Sequence, residues 1–302
     1  MTGPSDKVTI FFSLFLLLLV IFNYSNIPVS NYLIIIYISI IFFQFVLIKL
    51  SRHNDGFTGA SRACRTDSIL KLSRDIVFPV VSVLVIFDSL EGIVHNINPR
   101  DIDYILIRLD YFIFNAYPGL MIEKIENPFL TEIVQVAYTS YYFLPITLGI
   151  LLKVKGDREG FNRTLFLILL CFYLSYVGYL LFPALGPRYT MNHLYSGELK
   201  GLFFFEHIQR ILNQLEGIKR DAFPSGHTAI ALTVLVLAYR YHRRFFYVTL
   251  PVVLLLIFST VYCRYHYVVD VIGGILLTVI TFFVGNGIYK RYEPEKAKDP
   301  YN

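Results

Sequence analysis

Eight stretches of this 302-residue chain are apolar for about the 20 residues that a helix needs to cross a bilayer. They run from 8 to 24, 32 to 50, 76 to 95, 129 to 152, 163 to 183, 224 to 242, 246 to 264 and 267 to 288. A chain that is 55% hydrophobic and 16% charged, with a mean hydropathy of +0.56, agrees with that pattern. The expectation is an all-α, polytopic membrane bundle of about eight spans. Residues 1–75 form an N-terminal hairpin and inner loop, 76–288 the main transmembrane core, and 289–302 a tail. The first stretch reads as a retained anchor, because its apolar run is long, no small-residue cleavage site follows it, and a second span comes soon after.

The net charge of +5 does not point to nucleic acid, since the basic residues sit in short connections between spans. With the N-terminus inside, about two thirds of the 27 Lys and Arg fall on inner segments, among them Arg62, Arg65, Lys153, Lys155, Arg243, Lys296 and Lys298. The positive-inside rule favours that orientation, with both termini cytoplasmic. Cys64, Cys171 and Cys263 show neither metal-ligand spacing nor a disulfide framework. Residues 51–75, with Gly56 and Gly59, read as a solvated inner loop, and the mixed apolar and charged segment 97–128 as an interfacial helix.

The chemistry gathers at three places that this topology puts on the outer side. Asp221-Ala-Phe-Pro-Ser-Gly-His-Thr228 joins a long polar loop to a span. Pro224 suits a first helical turn, Ser225 or Thr228 suits a cap, and Gly226 leaves the backbone open to a ligand. That helix mouth suits an anion, and His227 adds a group that gives or takes a proton near neutral pH. Upstream, Phe182-Pro-Ala-Leu-Gly-Pro-Arg188 ends a span and leaves Arg188 at its rim, and residues 189–221 hold a short amphipathic helix around Leu202 to Leu215. Downstream, Tyr262-Cys-Arg-Tyr-His-Tyr-Val-Val-Asp270 sets His266 and Asp270 four apart on one helix face, where the carboxylate accepts a bond from the imidazole and frees the other ring nitrogen. Rival readings are a polar pair that merely caps a span, a metal site of two histidines and a carboxylate, and a transporter or scaffold using Asp88 and Glu91 within the third span.

These motifs resemble the type 2 phosphatidic acid phosphatase family of membrane proteins, whose pattern is written K-x6-R-P, P-S-G-H and S-R-x5-H-x3-D. Pro224-Ser225-Gly226-His227 matches the second part, and His266 with Asp270 the end of the third. The third part's arginine position falls on Thr260, after Ser259, while Arg264 stands two residues before His266; in the first part Leu181 replaces the lysine and Pro187 precedes Arg188. Gly-Pro-Arg with Tyr-x-Arg-Tyr-His-Tyr is more similar to the branch containing inositol phosphorylceramide synthases. The resemblance implies a six-helix catalytic core and a lipid phosphatase acting on a phosphomonoester or pyrophosphate, or alternatively a headgroup phosphotransferase. It also implies that His266 attacks phosphorus, Asp270 orients it and His227 protonates the leaving oxygen. Arg188, Arg264, Ser225 and Gly226 hold the phosphoryl oxygens, and no metal or other cofactor is required. The implied partners are a lipid phosphate and the bilayer, not nucleic acid.

Overall fold

The computed structural model describes residues 3–54, 70–215 and 218–291, and these are helical without strands. Gly56, Gly59, Arg62, Cys64, Arg65, Lys296 and Lys298 lie outside the described residues. In chain order the helices are α1 (Pro4–Phe22), α2 (Ser30–Asn54), α3 (Phe78–Ser89), α4 (Glu91–Ile97), α5 (Asp103–Phe114), α6 (Pro118–Glu123) and α7 (Pro128–Thr139). They continue with α8 (Leu144–Lys155), α9 (Arg158–Leu181), α10 (Pro187–Thr190), α11 (Phe205–Leu215), α12 (Gly226–Tyr241), α13 (Arg243–Tyr262) and α14 (Val268–Lys290). Five of them are long and apolar enough to cross a membrane, or seven spans if each of two bent pairs counts as one. The stretch 224 to 242 forms α12, whose 16 residues are largely buried by its neighbours.

Both bent pairs were expected as continuous spans, and each bend has a local cause. The third stretch turns by 41° between α3 and α4, where the Ser89 hydroxyl donates back to the Ile86 carbonyl and competes with the helix ladder. The fourth bends by 51° after α7, where a single 3-10 turn at Ser140–Tyr142 precedes Pro145, a residue suited to the first turn of a new helix. That second bend carries Tyr141 to the region of His227.

Helix α9 is the central post, with α1, α12 and α14 packed around it. Phe12 of α1 stacks on Tyr173 at 4.6 Å between centroids, and the Tyr173 hydroxyl donates to Thr9 at 3.0 Å. The hairpin therefore shares a core with the rest of the bundle. Its charged end is closed by Asp6, which pairs with Arg74 and accepts a bond from Gln44 at 2.8 Å. Asp88 and Glu91 are exposed at the α3–α4 bend, and Glu91 accepts the Lys219 amide at 3.1 Å. The amphipathic helix expected near Leu202 to Leu215 is α11, and Glu132 of α7 receives the amides of Leu202 and Phe204 just before it.

Candidate active site

Three connections meet at one end of the bundle: 182–188 after α9, 221–225 before α12, and 263–267 between α13 and α14. Backbone bonds join them, from the Arg188 amide to the Arg264 carbonyl (2.9 Å), from the Ala222 amide to the Ala184 carbonyl (3.0 Å) and from the Ser225 amide to the Asp270 carbonyl (3.0 Å). Gly186 makes the closeness possible. It has a φ of +86°, and a Cβ there would lie 2.5 Å from the Tyr265 carbonyl oxygen.

Ser225 is the N-cap of α12, and its hydroxyl accepts the Thr228 amide at 3.3 Å. At Gly226 a side chain is excluded by protein rather than by a ligand. Its Cβ would stand 2.3 Å from the Tyr179 hydroxyl of α9, so this glycine permits a close helix contact. The helix begins pressed against α9, and His227 follows in its first turn. His227 is buried between the rings of Tyr138 (4.4 Å) and Tyr141 (4.2 Å), and its centroid is 5.7 Å from that of His266. Tyr138 in turn lies 4.6 Å from Tyr265, and the Arg188 guanidinium sits over the Tyr265 ring at 5.1 Å.

His266 is buried, and its Nδ1 lies 2.8 Å from the Ala222 carbonyl oxygen. A carbonyl only accepts, so Nδ1 carries the proton and Nε2 keeps the lone pair. Burial pushes the imidazole pKa down to about 4; Asp221 and the Ala222 bond oppose the shift and Arg188 adds to it. The ring is therefore neutral at pH 7. The tautomer-fixing bond expected from Asp270 is made by Ala222 instead. Asp270 Oδ2 is 3.5 Å from Nδ1 and accepts the Tyr267 amide at 2.8 Å, because a carboxylate in the first turn of α14 is placed to cap that helix.

Arg264, placed with the phosphate ligands on sequence grounds, makes other contacts here. Its backbone has a φ of +62°, which aims the side chain away along the 192–201 loop, where the guanidinium stacks on Tyr195 at 3.7 Å. It donates to the Gly197 carbonyl (2.8 Å) and to Glu126 (2.9 Å). The structure thus brings His227, His266, Asp270, Ser225, Gly226 and Arg188 together and ties the Arg264 side chain to Glu126. Among the described residues, no group of three or more His, Cys, Asp or Glu side chains is arranged to hold a metal ion.

An apolar cavity of about 260 Å³ between α3, α8 and α9 ends at Tyr179, Asp221 and His227, and its far end is at Asp75. A much smaller one, of about 10 Å³, lies on the other side, between Asp110, Tyr195, His266 and Tyr267. Several residues of this site escaped sequence reading. The Ala222 carbonyl has no side-chain signature, and Tyr138, Tyr141 and Tyr265 are lost among 23 tyrosines. Asp103 and Asp110 did carry a signal, since they stand seven apart, two turns, on a helix whose one other charged residue is Arg108.

Fold and site together define a polytopic helical membrane protein with a buried two-histidine centre at one end of its bundle. A family model described as the PAP2 superfamily matches residues 108–284, more than half of the chain, and the chain belongs to that superfamily. The chain is 33% identical over 115 residues to a PA-phosphatase related-family protein of Dictyostelium discoideum, covering 36% of this chain and 20% of that protein. It is 28% identical over 151 residues to the phosphoinositol dihydroceramide synthase of Bacteroides thetaiotaomicron, covering 46% of this chain and 50% of that protein. The matched stretches therefore span half or less of these relatives. No solved structure matches.

Proposed function

We propose that the protein removes a phosphoryl group from a lipid phosphate through a phosphohistidine formed on Nε2 of His266. The observation that carries this reading is the 2.8 Å contact of Nδ1 with the Ala222 carbonyl, which leaves a neutral ring with its lone pair on Nε2 beside His227. In the first half-reaction Nε2 forms a bond to phosphorus as the bond to the lipid oxygen breaks, and that oxygen takes a proton from His227. The ring becomes cationic once phosphorylated, and Asp270, 3.5 Å away, offsets the new charge. Arg188, with the amides at the mouth of α12, bears the charge that grows on the equatorial oxygens. Water then attacks phosphorus, His227 takes its proton, and the P–N bond breaks.

A second reading replaces that water with the hydroxyl of a long-chain alcohol. The apolar cavity that ends at His227 favours it, because an alcohol whose chain filled this space would present its hydroxyl to the proton acceptor. The distribution of Lys and Arg supports a site on the outer face. Purified protein in mixed micelles with phosphate-labelled phosphatidate separates the readings. Release of inorganic phosphate supports hydrolysis, label appearing on an added long-chain alcohol supports transfer, and neither product in the presence of folded protein defeats both.

A further inference from the structure

Helix α5 is turned inside out. Phe112 is 85% exposed and Tyr104, Leu109 and Ile113 are exposed with it, whereas Asp103 and Asp110 are only 6% and 3% exposed. Burying two carboxylates while presenting aromatic rings outward is unfavourable unless the carboxylates are fully used. They are. Asp103 accepts the amides of Leu185 (2.9 Å) and Gly186 (2.8 Å) and the hydroxyl of Tyr267 (2.8 Å). Two turns further on, Asp110 accepts the amides of Val268 (3.0 Å) and Val269 (2.8 Å), the first turn of α14.

The groups they hold flank the reacting residues. Leu185 and Gly186 precede Arg188, and Tyr267 to Val269 follow His266. Asp103 grips both connections at once, and the Ile102 amide adds a bond to the Pro183 carbonyl at 2.8 Å. We propose that α5 is a splint, in which Asp103 and Asp110 are positioning residues that set the distance between Arg188 and His266. The inference rests on the functional reading above, and it assigns to this helix a task that no match to the sequence motifs implies.

The test uses the full-length protein in mixed micelles with 4-nitrophenyl phosphate as probe. Asp110→Asn keeps the side-chain volume but loses an acceptor on the His266 side. Its kcat should fall about 10- to 100-fold with KM within threefold, the cost of a nucleophile displaced by a fraction of an ångström. Asp103→Asn loosens both connections, so KM should rise as well. Asp101→Asn, which breaks only the Arg220 ion pair on the same segment, should stay within twofold of the parent. Tyr267→Phe removes the hydroxyl that bonds both Asp103 and Thr190 and should be about fivefold slower. A readout independent of turnover is carbethoxylation of His266 by diethyl pyrocarbonate, followed by mass spectrometry, which should run about tenfold faster in both asparagine variants. If the parent neither turns over the aryl phosphate nor becomes phosphorylated, the functional reading fails while the carbethoxylation rates still judge the splint. Parent-like kcat in Asp103→Asn and Tyr267→Phe, or carbethoxylation rates unchanged from the parent, would overturn the splint.

Discussion

The Nδ1 of His266 is 2.8 Å from the carbonyl oxygen of Ala222, a residue 44 positions earlier, so the loop that introduces His227 also sets the tautomer of His266. One backbone oxygen thereby couples the two histidines. The carboxylate four residues on from His266 holds the backbone of its own helix and stands near the ring without bonding to it.

That environment makes a statement about pH. With its pKa held near 4, against an ordinary value of 6.5, His266 stays neutral through mildly acid solution. Turnover of an aryl phosphate, corrected for substrate ionisation, should keep its nucleophile-controlled limb down to about pH 4. The sign for stability follows: the unfolded chain binds this proton below pH 6.5 and the folded protein does not, so the group's contribution is full above pH 6.5 and is lost progressively as pH falls towards 4. A nucleophile-controlled limb at pH 6.5 would show that the ring is solvated.

Arg188 and Arg264 should part company. Arg264→Ala leaves Glu126 without its cation and Tyr195 without its stacking partner, and should cost about 2–3 kcal/mol of stability. Arg188→Ala, whatever it costs in packing on Tyr189 and Tyr265, should lower kcat/KM by about 100-fold or more, the usual scale for losing a group that binds transition-state charge. Equal effects of both variants on midpoint and turnover would erase the distinction.

Activity should survive a strong chelator, because Arg188 and the α12 amides supply the positive charge for the phosphoryl oxygens. The check is turnover in excess chelator, before and after adding back divalent ions. Loss on chelation, restored by one such ion, would require a metal at the site.

Sidedness is open to a thiol probe. A cysteine placed within 189–221 should react from outside, and one within 153–162 only after permeabilisation, as the charge distribution requires. The reverse pattern would put the site in the cytosol.

Much of this was legible in the sequence because it rests on local rules. Apolar length marks a span and Ser225 marks a helix start, but Pro224 stands just ahead of that cap rather than in the first turn, and His266 lies before α14, so it approaches Asp270 without sharing a helix face with it. What was hidden depends on tertiary closeness. The bend at Ser140–Tyr142 interrupts a run that reads as one span, and the contact of Ala222 with His266 joins backbone to side chain across 44 residues. The use of Gly226 depends on where Tyr179 stands. Arg264 shows the limit most clearly, since the family resemblance implies a phosphate ligand there, and only a positive φ and the position of Glu126 redirect it.

The central claim is that His266 is the residue phosphorylated, and rapid quench with a phosphate-labelled aryl phosphate tests it most directly. The parent and His227→Ala should both yield an acid-labile phosphoenzyme that maps to His266, since an activated leaving group needs little protonation. On a lipid phosphate, whose leaving oxygen does need a proton, His227→Ala should be slower by about 100-fold to 10,000-fold. His266→Ala should show neither label nor turnover. Label on His227, or label persisting in His266→Ala, would contradict the account.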